Sequence, residues 1–162
     1  MKARVPLVLD ADGINCISRE KILLKNYSGE CVITPHIGEF ARLTGKTTGE
    51  VLENASKMTL DFAQEYGVTV VLKCAQTVIA SREGEVFINI TGNAGMATAG
   101  TGDVLTGIIA SLIGQGLKPL DAAKLGLFLH GTAGNIAADK LGEASLIASD
   151  LIDALPAAIR SL

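Results

Sequence analysis

The chain has 162 residues, of which 48% are hydrophobic and 19% charged, and it carries a formal net charge of −3. Its length suits one domain with a substantial buried core, and its composition excludes a disordered or fibrous protein. The negative charge gives no electrostatic reason to expect binding to nucleic acid or to an anionic membrane surface.

The first apolar run of the chain, residues 5–9, is short and is followed at once by acidic residues. This is not the pattern of a signal peptide, and no later run reaches the roughly 18 apolar residues that span a bilayer. The short apolar run 5–9 is typical of a strand buried on both faces of a parallel sheet. Asp10 and Asp12 would then lie where open α/β sheets bind ligands, although Asp and Gly are also ordinary turn residues. A short helix is predicted over residues 17–25.

A second strand is predicted over residues 30–33, followed by a short helix that closes over residues 40–43 and ends at Gly45. Thr34 is the predicted N-cap of that helix. His36 would lie on a loop at the carboxyl edge of the sheet. Its position there favours a functional role, whereas a lone histidine is more often structural or solvated.

An amphipathic crossover helix is predicted over residues 48–66, because apolar side chains recur there at helical spacing. Gly67 suits the position just after such a helix, and the β-branched run 68–72 suits the strand that follows. Lys73 comes directly after this strand. It is either a surface residue at a strand end or, on the ligand edge, a partner for phosphate.

Two further strands, residues 76–80 and 86–90, are joined by a short connector that contains glycine, which indicates a β-hairpin. Strands that alternate with helices indicate a layered α/β fold. We therefore expect a mixed sheet with an antiparallel edge.

Residues 92–102 contain four glycines, and an apolar run of helical period begins at Asp103. A loop of this kind can bring backbone N–H groups close to a ligand, and the first turn of the following helix favours an anion. A carboxylate should repel phosphate, so we predict that Asp103 acts on a hydroxyl group or a metal beside the phosphate. The alternative is that Asp103 is an ordinary helix cap. The loop has neither the Walker nor the dinucleotide-binding pattern.

The rest of the chain is predicted to be helical, with a buried helix over residues 104–113, a long one over Pro119–Leu141 and a last short one over residues 149–158. Three glycines in the long helix imply close packing or a break, since each costs about 1 kcal/mol relative to alanine. These are Gly126, Gly131 and Gly134. His130 lies near the core stripe of the same helix and is predicted to be structural.

The three cysteines have no metal-ligand spacing, so we expect reduced thiols in a cytoplasmic protein and no protein-built metal site. They are Cys16, Cys31 and Cys74.

Four blocks of sequence together resemble the ADP/ATP-dependent NAD(P)H-hydrate dehydratases of the ribokinase-like superfamily. They are LVLDADGIN (7–15), VITPHIGEF (32–40), VLKCAQTVIAS (71–81) and GNAGMATAGTGDVLTGIIASLIGQGL (92–117). The C-terminal segments LHGTAGNIAADKLG (129–142) and ASDLIDALP (148–156) fit the same family. The resemblance covers nearly the whole chain in order. It implies a three-layer fold with a mostly parallel central sheet.

The resemblance also implies a repair reaction on nicotinamide cofactors that have taken up water across a ring double bond. Such enzymes use ADP or ATP, with Mg²⁺, to convert the hydroxyl group of NADHX or NADPHX into a leaving group, and then eliminate phosphate. A homo-oligomeric enzyme is expected on the same grounds.

The family's functional residues fall on matching positions of this sequence. Asp103 matches the catalytic base and a substrate contact, and His36 matches a second substrate contact. Asn93 lies in a segment that could position phosphate or Mg²⁺. The positions that match nucleotide contacts are Lys73, Cys74, Ala75, Gln76, Thr77, Gly100, Thr101 and Gly102.

The sequence departs from the family pattern at two positions and in length. Cys74 stands where the family usually has glycine, which could weaken nucleotide binding. Ala99 also replaces a glycine of the family's loop, and alanine is tolerable there unless the residue needs a positive φ. Family domains are longer, so residues 1–162 are expected to form a single, partial ribokinase-like domain without its N-terminal βα units. Residues 5–9 would then form an open sheet edge that a complementing N-terminal segment or a second copy could cover.

Two other functions remain open at this point. A small-molecule kinase of the same superfamily, such as one acting on a vitamin precursor, would use the same glycine loop and aspartate base. An inactive nucleotide-binding fragment would bind ADP without turnover. The blocks around His36 and Lys73 favour the dehydratase.

Overall fold

The computed structural model describes residues 4–162, which form a five-stranded sheet covered by helices on both faces. The strands are β1 (Leu7–Leu9), β2 (Cys31–Ile33), β3 (Thr69–Leu72), β4 (Val78–Ala80) and β5 (Val86–Ile88). The helices are α1 (Ala11–Ile17), α2 (Ile22–Lys25), α3 (Ile37–Thr44), α4 (Thr48–Glu53), α5 (Ala55–Tyr66), α6 (Thr101–Gly114), α7 (Pro119–Leu141) and α8 (Ala148–Arg160). Two short 3-10 turns lie at Ala94–Met96 and Glu143–Ser145.

The strands lie in sequence order across the sheet. β1, β2 and β3 are parallel to one another, and β3, β4 and β5 are antiparallel, so the predicted mixed sheet and its hairpin are confirmed. Within the described part of the chain β1 pairs with β2 alone, which leaves its other side as a sheet edge. The carboxyl ends of the three parallel strands meet at one edge of the sheet, which is where the candidate site lies.

Each face of the sheet has its own core, because successive side chains of a strand point to opposite faces. On one face, side chains of α3 and α5 pack against Ile33 of β2 and its neighbours on β3. These helical residues include Phe40, Leu43 and Phe62. On the other face, α6 and α7 contribute a second buried cluster that includes Leu105 and Ile109 and packs against Val32 and Val71. The predicted three-layer α/β arrangement is therefore confirmed.

The first helix begins earlier than the sequence indicated. α1 starts at Ala11, with Asp10 as its N-cap, and α2 is a separate single turn, so the continuous helix predicted over residues 17–25 is wrong. Asp and Gly suit the start of a helix as well as a turn, and the local sequence does not separate the two.

Thr34 does not cap the next helix. α3 begins at Ile37, and His36 is its N-cap: Nδ1 of its ring accepts hydrogen bonds from the backbone N–H groups of Gly38 (3.0 Å) and Glu39 (3.3 Å). Thr34 is fully buried, and its hydroxyl donates to the carbonyl oxygen of Leu9 at 3.3 Å. The helix ends at Gly45, as predicted, in the left-handed conformation.

The long helix predicted over residues 48–66 is interrupted. Asn54 separates α4 from α5 with non-helical backbone angles, and its side-chain amide donates to the carbonyl oxygen of Glu50 at 3.3 Å. Asparagine competes in this way with the backbone hydrogen bonds of a helix, and hydrophobic spacing alone does not show the break. The bounds of α7, by contrast, are those predicted.

None of the helices described between residues 4 and 162 is both long and apolar enough to cross a membrane.

Candidate active site

Asp10, Lys73 and Thr106 meet where the carboxyl ends of β1 and β3 approach α6. The Lys73 ammonium lies 2.7 Å from Oδ1 of Asp10, and the Thr106 hydroxyl donates to Oδ2 at 3.0 Å. Burial by itself would raise the pKa of the Asp10 carboxyl. The hydrogen bond and charge of Lys73, with the hydroxyls of Thr34 and Thr106, outweigh it and hold that pKa below the ordinary value of 3.8. Asp10 is therefore ionised at neutral pH.

The first turn of α6 lies directly against this ion pair. A Cβ atom added at Gly102 would come within 3.2 Å of the Lys73 ammonium nitrogen and 3.5 Å of Oδ2 of Asp10. Gly100 precedes the helix with φ of 88°, a conformation that glycine adopts without steric penalty. Among the described residues, no acceptor pairs with the backbone N–H groups of Gly102 and Asp103. These donors and the ammonium can bind one anion together.

α6 begins at Thr101 rather than at Asp103. Gly100 is the N-cap of α6, and its left-handed backbone conformation directs the chain into the helix at Thr101. Asp103 therefore lies within the first turn of α6, where its carboxylate interacts favourably with the positive end of the helix dipole.

A cavity of about 620 Å³ adjoins this point and is lined by residues from four segments of the chain. The predicted nucleotide-binding residues that line it are Lys73, Cys74, Ala75, Thr77, Thr101 and Gly102. Gln76 and Gly100 are not among the lining residues, although both are adjacent to them in the chain. Residues of the loop 89–97 and of α7 complete the lining. Most of the predicted nucleotide segment thus faces one cavity.

His130 of α7 lies in the same wall. Only 8% of it is exposed, and Nε2 of its ring lies 2.9 Å from the carbonyl oxygen of Thr101. A carbonyl oxygen accepts, so Nε2 carries the hydrogen. Burial lowers the pKa of His130 below 6.5, with Lys73 adding to this, although the hydrogen bond to Thr101 opposes it. The predicted structural role is consistent with this burial, and the ring also ties α7 to the start of α6.

We expect this histidine to make the folded state sensitive to acid. Because its folded pKa lies below the unfolded value of 6.5, the unfolded chain binds more protons as the pH falls below 6.5, and the free energy of unfolding decreases. Urea unfolding of the native chain and of His130→Gln at pH 7.5 and pH 5 measures this. The glutamine can still donate to Thr101 but does not titrate. Equal losses of stability in the two chains would refute the assignment.

Asn93 lies beside the cavity with one unsatisfied atom. Its side-chain NH₂ donates to Oδ1 of Asn135 at 3.1 Å, while its own Oδ1 is buried without a hydrogen-bond partner in the described part of the chain. A carbonyl oxygen accepts hydrogen bonds or binds cations, and it repels phosphate oxygens. Of the two predicted roles for Asn93, this geometry suits a cation better than a phosphate.

The two predicted substrate contacts lie outside this cavity. The His36 side chain is 55% exposed and follows β2 in the chain. The backbone of His36 forms an isolated parallel β-bridge with that of Lys73. Asp103 is exposed and lines a separate apolar groove of about 530 Å³ between α6 and α8, beside Ile152 and Ile159. The start of α6 therefore separates the 620 Å³ cavity on one side from Asp103 on the other.

A sequence profile for NAD(P)H-hydrate dehydratases matches residues 1–157. The chain belongs to the NAD(P)H-hydrate dehydratase family. A bifunctional NAD(P)H-hydrate repair enzyme from Moorella thermoacetica is 49% identical over 161 residues, which are 99% of this chain and 30% of that enzyme. This chain therefore spans less than a third of that relative's length.

Solved structures of the family have the same fold. The ADP/ATP-dependent NAD(P)H-hydrate dehydratase of Bacillus subtilis, co-crystallised with ATP/Mg²⁺, is 32% identical with a TM-score of 0.88, over 98% of this chain and 56% of that one. A ribokinase-like superfamily protein from Enterococcus faecalis is 31% identical with a TM-score of 0.76, over 95% of this chain and 52% of that one. The fold is therefore ribokinase-like, and this chain spans about half of each solved protein.

The structure accommodates both residues that depart from the family pattern, Ala99 and Cys74. Ala99 is not among the residues with positive φ, so alanine fits there without strain. The Cys74 thiol donates to the carbonyl oxygen of Gln76 at 3.0 Å, and burial raises its pKa. The side chain is thus held within its own loop as a neutral thiol.

The sequence placed Asp10 at the ligand edge of the sheet but did not assign it to the site. The signal was present, since an aspartate directly after a buried strand at the carboxyl edge is a ligand position in α/β sheets. What the sequence could not supply was the partner, because Lys73 is 63 positions away.

Proposed function

We propose that this chain carries the nucleotide site and the base of an ADP- or ATP-dependent NAD(P)H-hydrate dehydratase. The observation that carries the proposal is the convergence of the Lys73 ammonium and the free first-turn N–H groups of α6 at Gly102, on the wall of the 620 Å³ cavity. Both kinds of donor stabilise charge on a phosphoryl group during its transfer.

In this reaction Asp103 takes the proton from the hydroxyl group of NADHX or NADPHX, and the oxygen attacks the terminal phosphorus of the nucleotide. The bond from phosphorus to the nucleotide breaks, and the shortened nucleotide leaves. Phosphate then departs with the electron pair of the carbon–oxygen bond, the ring loses a proton, and the double bond is restored. A carboxylate suits the first step because hydroxyl groups are weak nucleophiles without a base.

Mg²⁺ would neutralise the phosphate charge in transfer, and it commonly binds through one or two carboxylates together with nucleotide phosphates and water. No cluster of three metal-ligating side chains occurs among residues 4–162. The buried Oδ1 of Asn93, which has no hydrogen-bond partner among the described residues, would be the protein atom that contacts such an ion. A cytoplasmic location, a homo-oligomeric state and a complementing N-terminal segment that completes the domain are part of the same proposal.

The test is recovery of NADH absorbance when the chain is given NADH hydrate, ADP and Mg²⁺. We expect recovery together with release of free phosphate. A stable phosphorylated compound without NADH recovery would indicate a kinase instead. ADP binding without any turnover would show that the chain, as it stands, is a nucleotide-binding fragment.

A substitution at His36 separates its two roles. Asparagine is a good N-cap, so His36→Asn should keep the cap of α3 and leave the midpoint of thermal unfolding nearly unchanged. His36→Ala removes the cap and should lower the free energy of unfolding by about 1 kcal/mol. Both variants lack the imidazole. We therefore expect both to raise KM for the hydrated cofactor and to leave KM for ADP unchanged. Substrate kinetics of the two variants check this, and an unchanged KM for the hydrated cofactor in His36→Asn would remove His36 from the substrate site.

A further inference from the structure

The proposed reaction assigns no role to Asp10, whose side chain is buried beside Lys73 at the site. Only 9% of its side chain is exposed, and it is bound on both oxygens, by Lys73 and by Thr106. The next residue, Ala11, has φ of 47°, which is a strained conformation for alanine. A strained backbone persists where the surrounding contacts determine the conformation, as they do here at the start of α1.

We propose that Asp10 is a positioning residue: it holds the Lys73 ammonium beside Gly102, in the place where a nucleotide phosphate binds. The inference rests on the proposed function for the location of that phosphate. Asp10 acts through Lys73 and does not itself contact the nucleotide.

The geometry gives the reason. A lysine side chain is flexible and its ammonium has three N–H donors. Bonding to Asp10 at 2.7 Å occupies one donor and fixes the ammonium against the first turn of α6, 3.2 Å from where a Gly102 Cβ would be. Among residues 4–162 no acceptor other than Asp10 binds the ammonium, so its other two donors can bind an anion. Thr106 fixes the carboxylate in turn from the second turn of the same helix.

Charge alone does not explain the arrangement. Asp10 and Lys73 together are neutral, and the Asp10 carboxylate repels a bound phosphate. If affinity for an anion were all that mattered, asparagine would serve better at this position. Holding the ammonium in one place before binding removes the loss of side-chain freedom that binding would otherwise require.

A double-mutant cycle separates the two effects. ADP affinity is measured by calorimetry for the native chain, Asp10→Asn, Lys73→Met and the double variant. In the Lys73→Met background, Asp10→Asn only removes repulsion, and ADP should bind about tenfold more tightly. In the native background the same change also frees the ammonium, so the gain should be smaller by about fivefold or be lost.

The controls test charge and fold. Lys25→Met breaks the exposed ion pair with Glu65, 3.2 Å long, and should leave ADP affinity unchanged. Circular dichroism and thermal unfolding report whether each variant is folded, and Lys73→Gln replaces Lys73→Met if the latter does not fold. An equal effect of Asp10→Asn in both backgrounds would overturn the inference, since repulsion between the Asp10 carboxylate and the phosphate does not depend on Lys73.

The outcomes for the inference and for the proposed function are distinct. Coupling between Asp10 and Lys73 with no cofactor repair supports the inference and contradicts the dehydratase proposal. Turnover without coupling does the reverse. Where turnover is seen, Asp10→Asn should lower kcat while KM for ADP stays constant or falls, because the ammonium is displaced and the repulsion is gone. A chain that does not bind ADP overturns both.

Discussion

Replacing Asp103 by asparagine should lower kcat for cofactor repair by about 10²- to 10⁴-fold, the range typical for loss of a general base. The amide cannot take the proton from the substrate hydroxyl. The side chain is exposed, so the substitution removes no buried contact. ADP affinity should therefore stay constant or rise slightly, because a negative charge near phosphate is removed.

The matched control is Asp121→Asn. Both aspartates are the third residue of their helix, α6 and α7, and both are exposed, so each substitution removes the same favourable interaction with a helix dipole, about 0.3–1 kcal/mol. Steady-state kinetics and urea unfolding of the two variants should show equal small losses of stability and a loss of activity in Asp103→Asn alone. Retained activity in Asp103→Asn would exclude Asp103 as the base.

Gly131→Ala should lower the free energy of unfolding by about 1–3 kcal/mol and weaken ADP binding. A Cβ at this position would lie 2.1 Å from the Thr91 hydroxyl oxygen and 2.7 Å from the Thr91 carbonyl carbon, so the loop must move away from α7. Thr91 and Gly92 line the 620 Å³ cavity in which we propose that ADP binds, and displacing them changes its shape. Alanine is otherwise the better helix former, so the predicted sign is opposite to that of helix propensity.

Gly107→Ala is the matched control in α6. A Cβ there meets no atom within 4 Å, and the position is exposed. Without a clash, alanine should raise stability by about 0.5–1 kcal/mol. Urea unfolding and ADP calorimetry of both variants test the pair. Stabilisation of both chains, or of neither, would show that close packing of α7 against the loop does not decide the result.

The alternation of strands and helices, and with it the α/β class, could be read from the sequence because the signals are local. The bounds of α7 are an example: a proline occupies its first turn, and Gly142 follows its last residue. The left-handed glycines at positions 45 and 67 ended their helices for the same local reason. The family resemblance rested on short motifs, which likewise need no knowledge of distant contacts.

The breaks within helical regions could not be read in this way. The same apolar spacing runs through α4 and α5, and only the backbone at Asn54 shows that they are two helices. The start of α6 at Thr101 depends on the left-handed turn at Gly100, which places the free N–H groups two residues earlier than the apolar pattern indicated.

What the sequence by itself determined is therefore the order of the elements, the glycine loop and the candidate residues Lys73 and Asp103. The tertiary structure alone decided which of them meet. Asp10 and Lys73 are 63 residues apart, yet parallel strands bring their carboxyl ends to one edge and the two side chains to 2.7 Å. Local sequence preferences do not predict a contact between residues so far apart in the chain. That contact depends on the pairing of the strands and on the packing of helices on both faces of the sheet.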